Sequence, residues 1–309
     1  MAITRANADA LIPVEVSKEI IQSTTQQSAT LSLMRKLPNM NSKQTRLPVL
    51  SALATAGFVN GDTGLKATSS AAWENKFITA EEIAVIIPIP EAVLDDASYD
   101  IFGEIKPQIV EEFGRVIDGA VFFNIDKPAS WPTALVNGAT AAGKIIVLGT
   151  GEDIADDVNE LMGLVEKSGY DVNGFGAAIG VKSKLRGLRD NTGAPIFQPS
   201  LTVGTPGTLY GQPIHYPKNG AWDASKALMI GGDFNQAVYS IRQDITYKVL
   251  DQAVISDGEG KIVYNLAQQD MVALRCVMRL GWQLPNPINR MDTTANRYPF
   301  AILTEGAGG

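Results

Sequence analysis

The run Ile83-Ala84-Val85-Ile86-Ile87-Pro88-Ile89 opens the stretch on which the reading of the whole chain turns, residues 82–124. It reads as a strand, passes through a short acidic segment at 91–96, and gives way to the clearest helical pattern in the sequence. Ile101, Ile105, Ile109, Phe113, Val116, Ile117, Ala120 and Val121 recur at three- and four-residue spacing, which places them on one stripe of a helix. That stripe needs a sheet to cover. Pro107 interrupts the pattern, because it lacks an amide hydrogen and its ring crowds the carbonyl four residues back, at Gly103. Two outcomes are open: a short helix from about residue 98 followed by a second with Pro107 in its first turn, or one long helix that bends. Either way residues 107–124 form a strut of roughly 27 Å, at about 1.5 Å per residue.

On the N-terminal side, residues 1–41 read as a polar arm. Val16, Ile20 and Ile21 could face a partner, and Leu31, Leu33, Met34 and Leu37 form an apolar cluster just before Pro38. A single copy has little with which to cover that cluster, so it is expected to lie against a neighbour. Residues 45–59 are extended chain, and Asn60-Gly61-Asp62-Thr63-Gly64 is the strongest turn signal in the sequence. The return strand runs through Trp73, Phe77 and Ile78. Between the arms of this hairpin the residues are too small to build a core, which makes it a reaching device.

On the C-terminal side, residues 127–140 read as a loop rich in Pro and Gly. Lys144-Ile145-Ile146-Val147-Leu148 is a strand, and Gly149-Thr150-Gly151 leads into a helix whose buried face is Ile154, Val158, Leu161, Met162 and Val165. Asp153, Asp156 and Asp157 crowd its first turn, as the helix dipole favours. A small-residue strand near 176–180 and a short basic helix at 183–189 follow, so 129–232 is a second, mixed unit. The last third is strand-rich. Val272, Leu274, Cys276, Met278, Leu280 and Trp282 alternate strictly, with Arg275 and Arg279 on the other face. This long half-buried strand is the natural sheet for the stripe.

Composition excludes several functions. The net charge of −7 and the absence of a basic run argue against a dedicated nucleic-acid binder. One cysteine, Cys276, and one histidine, His215, leave no disulfide and no zinc-ligand set. No signal peptide or membrane-spanning run is present, so the expectation is a soluble protein made in the cytoplasm, without a membrane partner. Gly149-Thr150-Gly151 lacks the third glycine of a dinucleotide fingerprint, since Ile154 stands in its place, and a tight turn is the better reading. His215 has no nucleophile-bearing elbow with it, Cys276 sits on an apolar strand face, and Lys66 near the hairpin tip reads as a solubilising charge. Arg275 and Arg279 are a solvated face by default, or meet carboxylates of a neighbour.

The order of parts, with four local stretches, resembles the major capsid protein family of tailed bacteriophages. The stretches are 86–97 leading into the helix, Leu185-Arg186-Gly187-Leu188-Arg189-Asp190-Asn191-Thr192-Gly193-Ala194-Pro195-Ile196-Phe197, Thr208-Leu209-Tyr210-Gly211-Gln212-Pro213-Ile214, and Gly232-Asp233-Phe234 with Tyr239 downstream. The resemblance covers nearly the whole chain and implies the HK97-like α+β shell fold. It implies an N-terminal arm at 1–41, an extended hairpin loop at 42–81, and a peripheral domain at 82–127 and 233–284 with the strut as its spine. It further implies an axial domain at 128–232, joined by the C-terminal tail at 285–309.

The function implied is a non-enzymatic virion protein, without cofactor or metal, whose copies form pentamers and hexamers of an icosahedral shell around double-stranded DNA touched non-specifically. Leu31, Leu33, Met34, Leu37, Lys66, Trp73, Phe77, Arg275 and Arg279 are the candidate intersubunit contacts. Partners would be a portal, optional decoration proteins, and a separate scaffolding protein, since the arm starts almost at Met1. Some relatives cross-link through a loop lysine and an asparagine. Here Lys66, Asn265, Asn286 and Asn289 are available, but Glu259 is the one glutamate between Glu166 and Glu305, so no cross-link is expected. Two alternatives stand beside this reading: an encapsulin-type nanocompartment shell of the same fold, against which the long arm and loop argue, and a nucleotide-binding enzyme using the Gly149 turn.

Overall fold

The computed structural model of the protein describes residues 28–59, 65–66, 68–96, 101–188 and 207–306. Val16, Ile20, Ile21, the turn at 60–64 and the stretch 189–197 lie outside them. The arm contributes helix α1 (Ala29–Leu33) and strand β1 (Arg35–Lys36), and the hairpin is β2 (Gln44–Ala52) with β3 (Ala72–Thr79). The deciding stretch folds as β4 (Glu81–Pro90), the short helix α2 (Glu91–Asp96) and the long helix α3 (Ile101–Phe123). Then come α4 (Leu135–Ala141), β5 (Ile145–Val147), α5 (Ile154–Lys167), β6 (Gly174–Ala177), α6 (Val181–Arg186), β7 (Gly207–Leu209), β8 (Gln212–His215) and β9 (Met229–Gly232). The chain closes with β10 (Val238–Leu250), β11 (Val254–Ser256), β12 (Ile262–Asn265), β13 (Met271–Gln283) and β14 (Phe300–Thr304).

A four-stranded sheet of order β1-β10-β13-β4 receives α3. Its central strand β13 has the alternation expected of it, and Leu274, Cys276, Met278, Leu280 and Trp282 share one core with Ile109, Phe113, Ile117, Ala120 and Val121 of the helix. The strut runs unbroken through Pro107, which settles the open question in favour of one helix. It ends at Asn124, whose positive φ of 60° turns the chain out of the helix, while its side-chain oxygen accepts from the Ala134 amide at 2.9 Å.

A six-stranded sheet of order β5-β14-β9-β6-β8-β7 carries the second core. Ile154, Val158, Leu161 and Val165 of α5 pack there with Phe175, Met229 and Leu303. The two cores meet at Trp222, which packs against both and lies 5.1 Å from the Phe122 ring and 5.2 Å from Phe123.

Three expectations need correction. Residues 135–141 are a helix rather than loop, packed through Leu135, Val136 and Ala139. The tail at 285–309 contains an interior strand, β14, hydrogen-bonded to β5 and β9. Within 233–284, β11 and β12 form a second, small hairpin. Among the described residues no helix is long and apolar enough to cross a membrane.

Candidate intersubunit surfaces

The long hairpin is an antiparallel pair in register from Gln44↔Thr79 to Ala52↔Ala72. Only its root has a core, where Ile78 is buried with Met40, Ala80 and Val238. Several contacts hold that root. Trp131 Nε1 donates to the Thr79 carbonyl at 3.2 Å and Gln283 Nε2 to that of Phe77 at 2.8 Å. From the C-terminal side, the Ile288 amide donates to Leu50 O at 3.1 Å and Arg290 Nη2 to Ala54 O at 2.6 Å. Gly281 of β13 lets the root cross it, since a Cβ there would collide with the Thr79 carbonyl. Farther out the support stops. Trp73 is 67% exposed, Phe77 is exposed, and Phe58 and Leu65 are open to solvent, with Lys66 exposed beside them. Large apolar side chains on a two-stranded ribbon without a core gain nothing from solvent, so they suit burial by another molecule.

The arm behaves differently. Leu31 and Met34 are 4% and 5% exposed, in the core with α3, and Leu33 packs half-buried on it. Leu37 packs against the small core at the hairpin root. The expectation that this cluster needs a neighbour is therefore corrected: the chain's own spine and sheet cover it.

What anchors it is Asp118, fully buried on α3. Its Oδ1 accepts from Ser28 Oγ at 2.7 Å, Thr30 N at 3.0 Å and Thr30 Oγ1 at 2.6 Å. Its Oδ2 accepts from Ala29 N at 3.1 Å and Asn219 Nδ2 at 2.8 Å. Burial pushes the pKa of this carboxyl up, against the pull of the hydrogen bonds from Thr30, Ser28 and Asn219. One carboxylate thus ties the arm, the spine and the segment before β9 together. Sequence reasoning missed it, because its arm partners lie about ninety positions away.

The small hairpin was missed too. β11 and β12 pair from Val254↔Asn265, and Val254, Ile262, Val263 and Tyr264 stand exposed on them. The signal was available in Asp257-Gly258-Glu259-Gly260, a turn flanked by apolar runs.

Comparison with known proteins accords with a chain that reaches for others. The sequence profile of the Phage capsid family matches residues 8–289. The chain belongs to the phage capsid family. A major capsid protein of Staphylococcus phage 80alpha is 28% identical over 216 residues, an alignment spanning 69% of this chain and 64% of that relative. A solved chain from Microbacterium phage Oxtober96 is 40% identical with a TM-score of 0.80, over 99% of this chain and 100% of that one. One from Mycobacterium phage Adephagia is 34% identical with a TM-score of 0.80, over the full length of both. The fold of this capsid-family chain is the HK97-like α+β fold that the resemblance implied.

The remaining candidates can now be placed on the capsid-family chain. Arg279 forms an ion pair and hydrogen bonds with Glu82 across the β13–β4 register. Arg275 is exposed opposite Ile86 and Lys248, and among the described residues it makes no ion pair. Asp157 reaches back from α5 so that its carboxylate accepts from Gly149 N and Gly151 N, each at 2.8 Å. The amides that a dinucleotide phosphate would need are therefore taken by the chain itself.

His215 is half-buried on β8, and burial lowers its pKa. Among the described residues its ring is hydrogen-bonded to no carboxylate or hydroxyl. Cys276 is buried, which pushes its thiol up to about 12 and away from reactivity at neutral pH. Two of the three asparagines considered for a cross-link are engaged in the chain. Asn286 Nδ2 donates to Arg297 O at 2.9 Å and Asn289 Nδ2 to Ser168 O at 2.8 Å.

Proposed function

We propose that this chain is a major capsid protein whose copies form pentamers and hexamers of a closed icosahedral phage head around double-stranded DNA. The observation that carries the reading is the long hairpin, fastened at its root and bearing uncovered Trp73, Phe77, Phe58 and Leu65 beyond it. A monomeric enzyme gains nothing from such a ribbon; a shell subunit gains the area that holds its neighbours. Family membership and full-length likeness to phage chains favour the virion container over a nanocompartment. The division into arm, extended loop, peripheral and axial domains belongs to this proposal, as do scaffolding, portal and decoration partners and synthesis in the host cytoplasm. The net charge of −7 supports a lining that touches packaged DNA without gripping it. The subunit's work is binding rather than catalysis. Negative-stain microscopy of purified protein tests this: closed particles or capsomer rings are expected, and a dispersed monomer at high concentration would overturn the reading.

A further inference from the structure

Charge is segregated along this chain. Residues 20–61 contain Arg35, Lys36, Lys43 and Arg46 and no acidic residue, whereas residues 77–105 contain seven carboxylates and no basic residue. In the fold, all four cations are exposed, on β1, on β2 and just before β2. Glu91, Asp95 and Asp96 are exposed on α2. Among the described residues none of these seven side chains has an ion-pair partner.

The sheet explains why they do not neutralise one another. β1 runs beside Val238 and Tyr239, which pair with Gln283 and Trp282, and the hairpin root sits at that same corner, where Gln283 holds Phe77. α2 follows Pro90, which pairs with Met271 at the other end of β13, on the opposite edge of the sheet. From Met271 to Gln283 the strand rises about 40 Å, far beyond a Debye length of about 10 Å in ordinary salt. Opposite charges held at diagonal corners of one rigid sheet cannot meet within a copy. They can meet between copies placed head to tail, a heterologous contact that closes into a ring when its rotation permits.

We propose that the basic corner, Arg35, Lys36, Lys43 and Arg46, docks the acidic helix α2 of a second copy through Glu91, Asp95 and Asp96. The inference rests on the shell reading and specifies which surfaces of neighbouring copies meet. Complementary corners of this kind set register and speed encounter more than they add raw affinity, and salt weakens them.

The test is a charge exchange on the full chain, scored by sedimentation velocity and negative stain. Lys36→Glu with Arg46→Glu, and separately Asp95→Lys with Asp96→Lys, are each expected to cut the assembled fraction about tenfold at about 0.1 M salt. The protein carrying all four changes is expected to recover assembly. Every site is exposed, so circular dichroism and melting of the unassembled variants should match the parent. Reversed variants that assemble like the parent would overturn this pairing while leaving the shell reading intact. A four-fold variant that stays dispersed would also overturn it, and so would loss on the basic side alone, the result expected if a polyanion rather than α2 fills the corner. A parent protein that stays monomeric overturns both readings.

Discussion

Asp118 is a carboxylate without a cation, held in the interior by five donors, and this makes it the most sensitive single residue of the arm. Four of the donors come from residues 28–30, so the side chain works as an acceptor that lets the start of α1 dock on the spine. Gly114, one turn earlier, leaves the room, since a Cβ there would already touch Ser28. Asp118→Ala strands buried N–H and O–H groups and is expected to destabilise the folded protein by about 3 kcal/mol. Chemical denaturation of unassembled protein reads the loss. Limited proteolysis should cut between residues 28 and 36 in the variant well before the body is touched. Equal cleavage of parent and variant would show that α1 stays docked without the carboxylate, through Leu31 and Met34 alone.

At the scale of elements, α3 carries a built-in defect. Pro107 is exposed, so its ring fills no core, yet it deprives the Gly103 carbonyl of a donor. Pro107→Ala is expected to raise stability by about 1–3 kcal/mol, seen as a higher denaturant midpoint with an unchanged slope. A lower midpoint would mean that the proline geometry itself positions the start of the spine. The spine and its sheet were legible before any coordinates because their signals are local: a 3.6-residue stripe at 101–121 and a two-residue alternation at 272–282. Helix α4 was hidden because Gly138 and small residues mark a loop, and it is packing under Tyr298 that makes it helical. β14 was hidden because an interior strand, buried on both faces, shows no alternation. The destination of Leu31 and Met34 could not be read at all, since a sticky segment looks alike whether its own sheet or a neighbour covers it.

For the molecule as a whole, these elements divide into a body whose apolar residues are covered and two hairpins whose apolar residues are not. The body closes on itself through Trp222 and the clamp of 285–291 on the hairpin root, which means that the outer hairpin bears little of the body's stability. Replacing residues 53–71 by an Asn-Gly turn joins Ala52 to Ala72, already paired across the ribbon, with a loop of the length such strands prefer. The shortened chain keeps Trp73 and Phe77 but loses Phe58, Leu65 and Lys66. Its melting should stay within about 1 kcal/mol of the unassembled parent, since the removed residues bury almost nothing. Assembly into particles, scored by negative stain, should be lost. Unfolding of the shortened chain would place the hairpin in the body's own core, and particles of normal size would move the work of holding neighbours to β11 and β12, whose Val254, Ile262, Val263 and Tyr264 are the other large uncovered apolar set on a projecting ribbon.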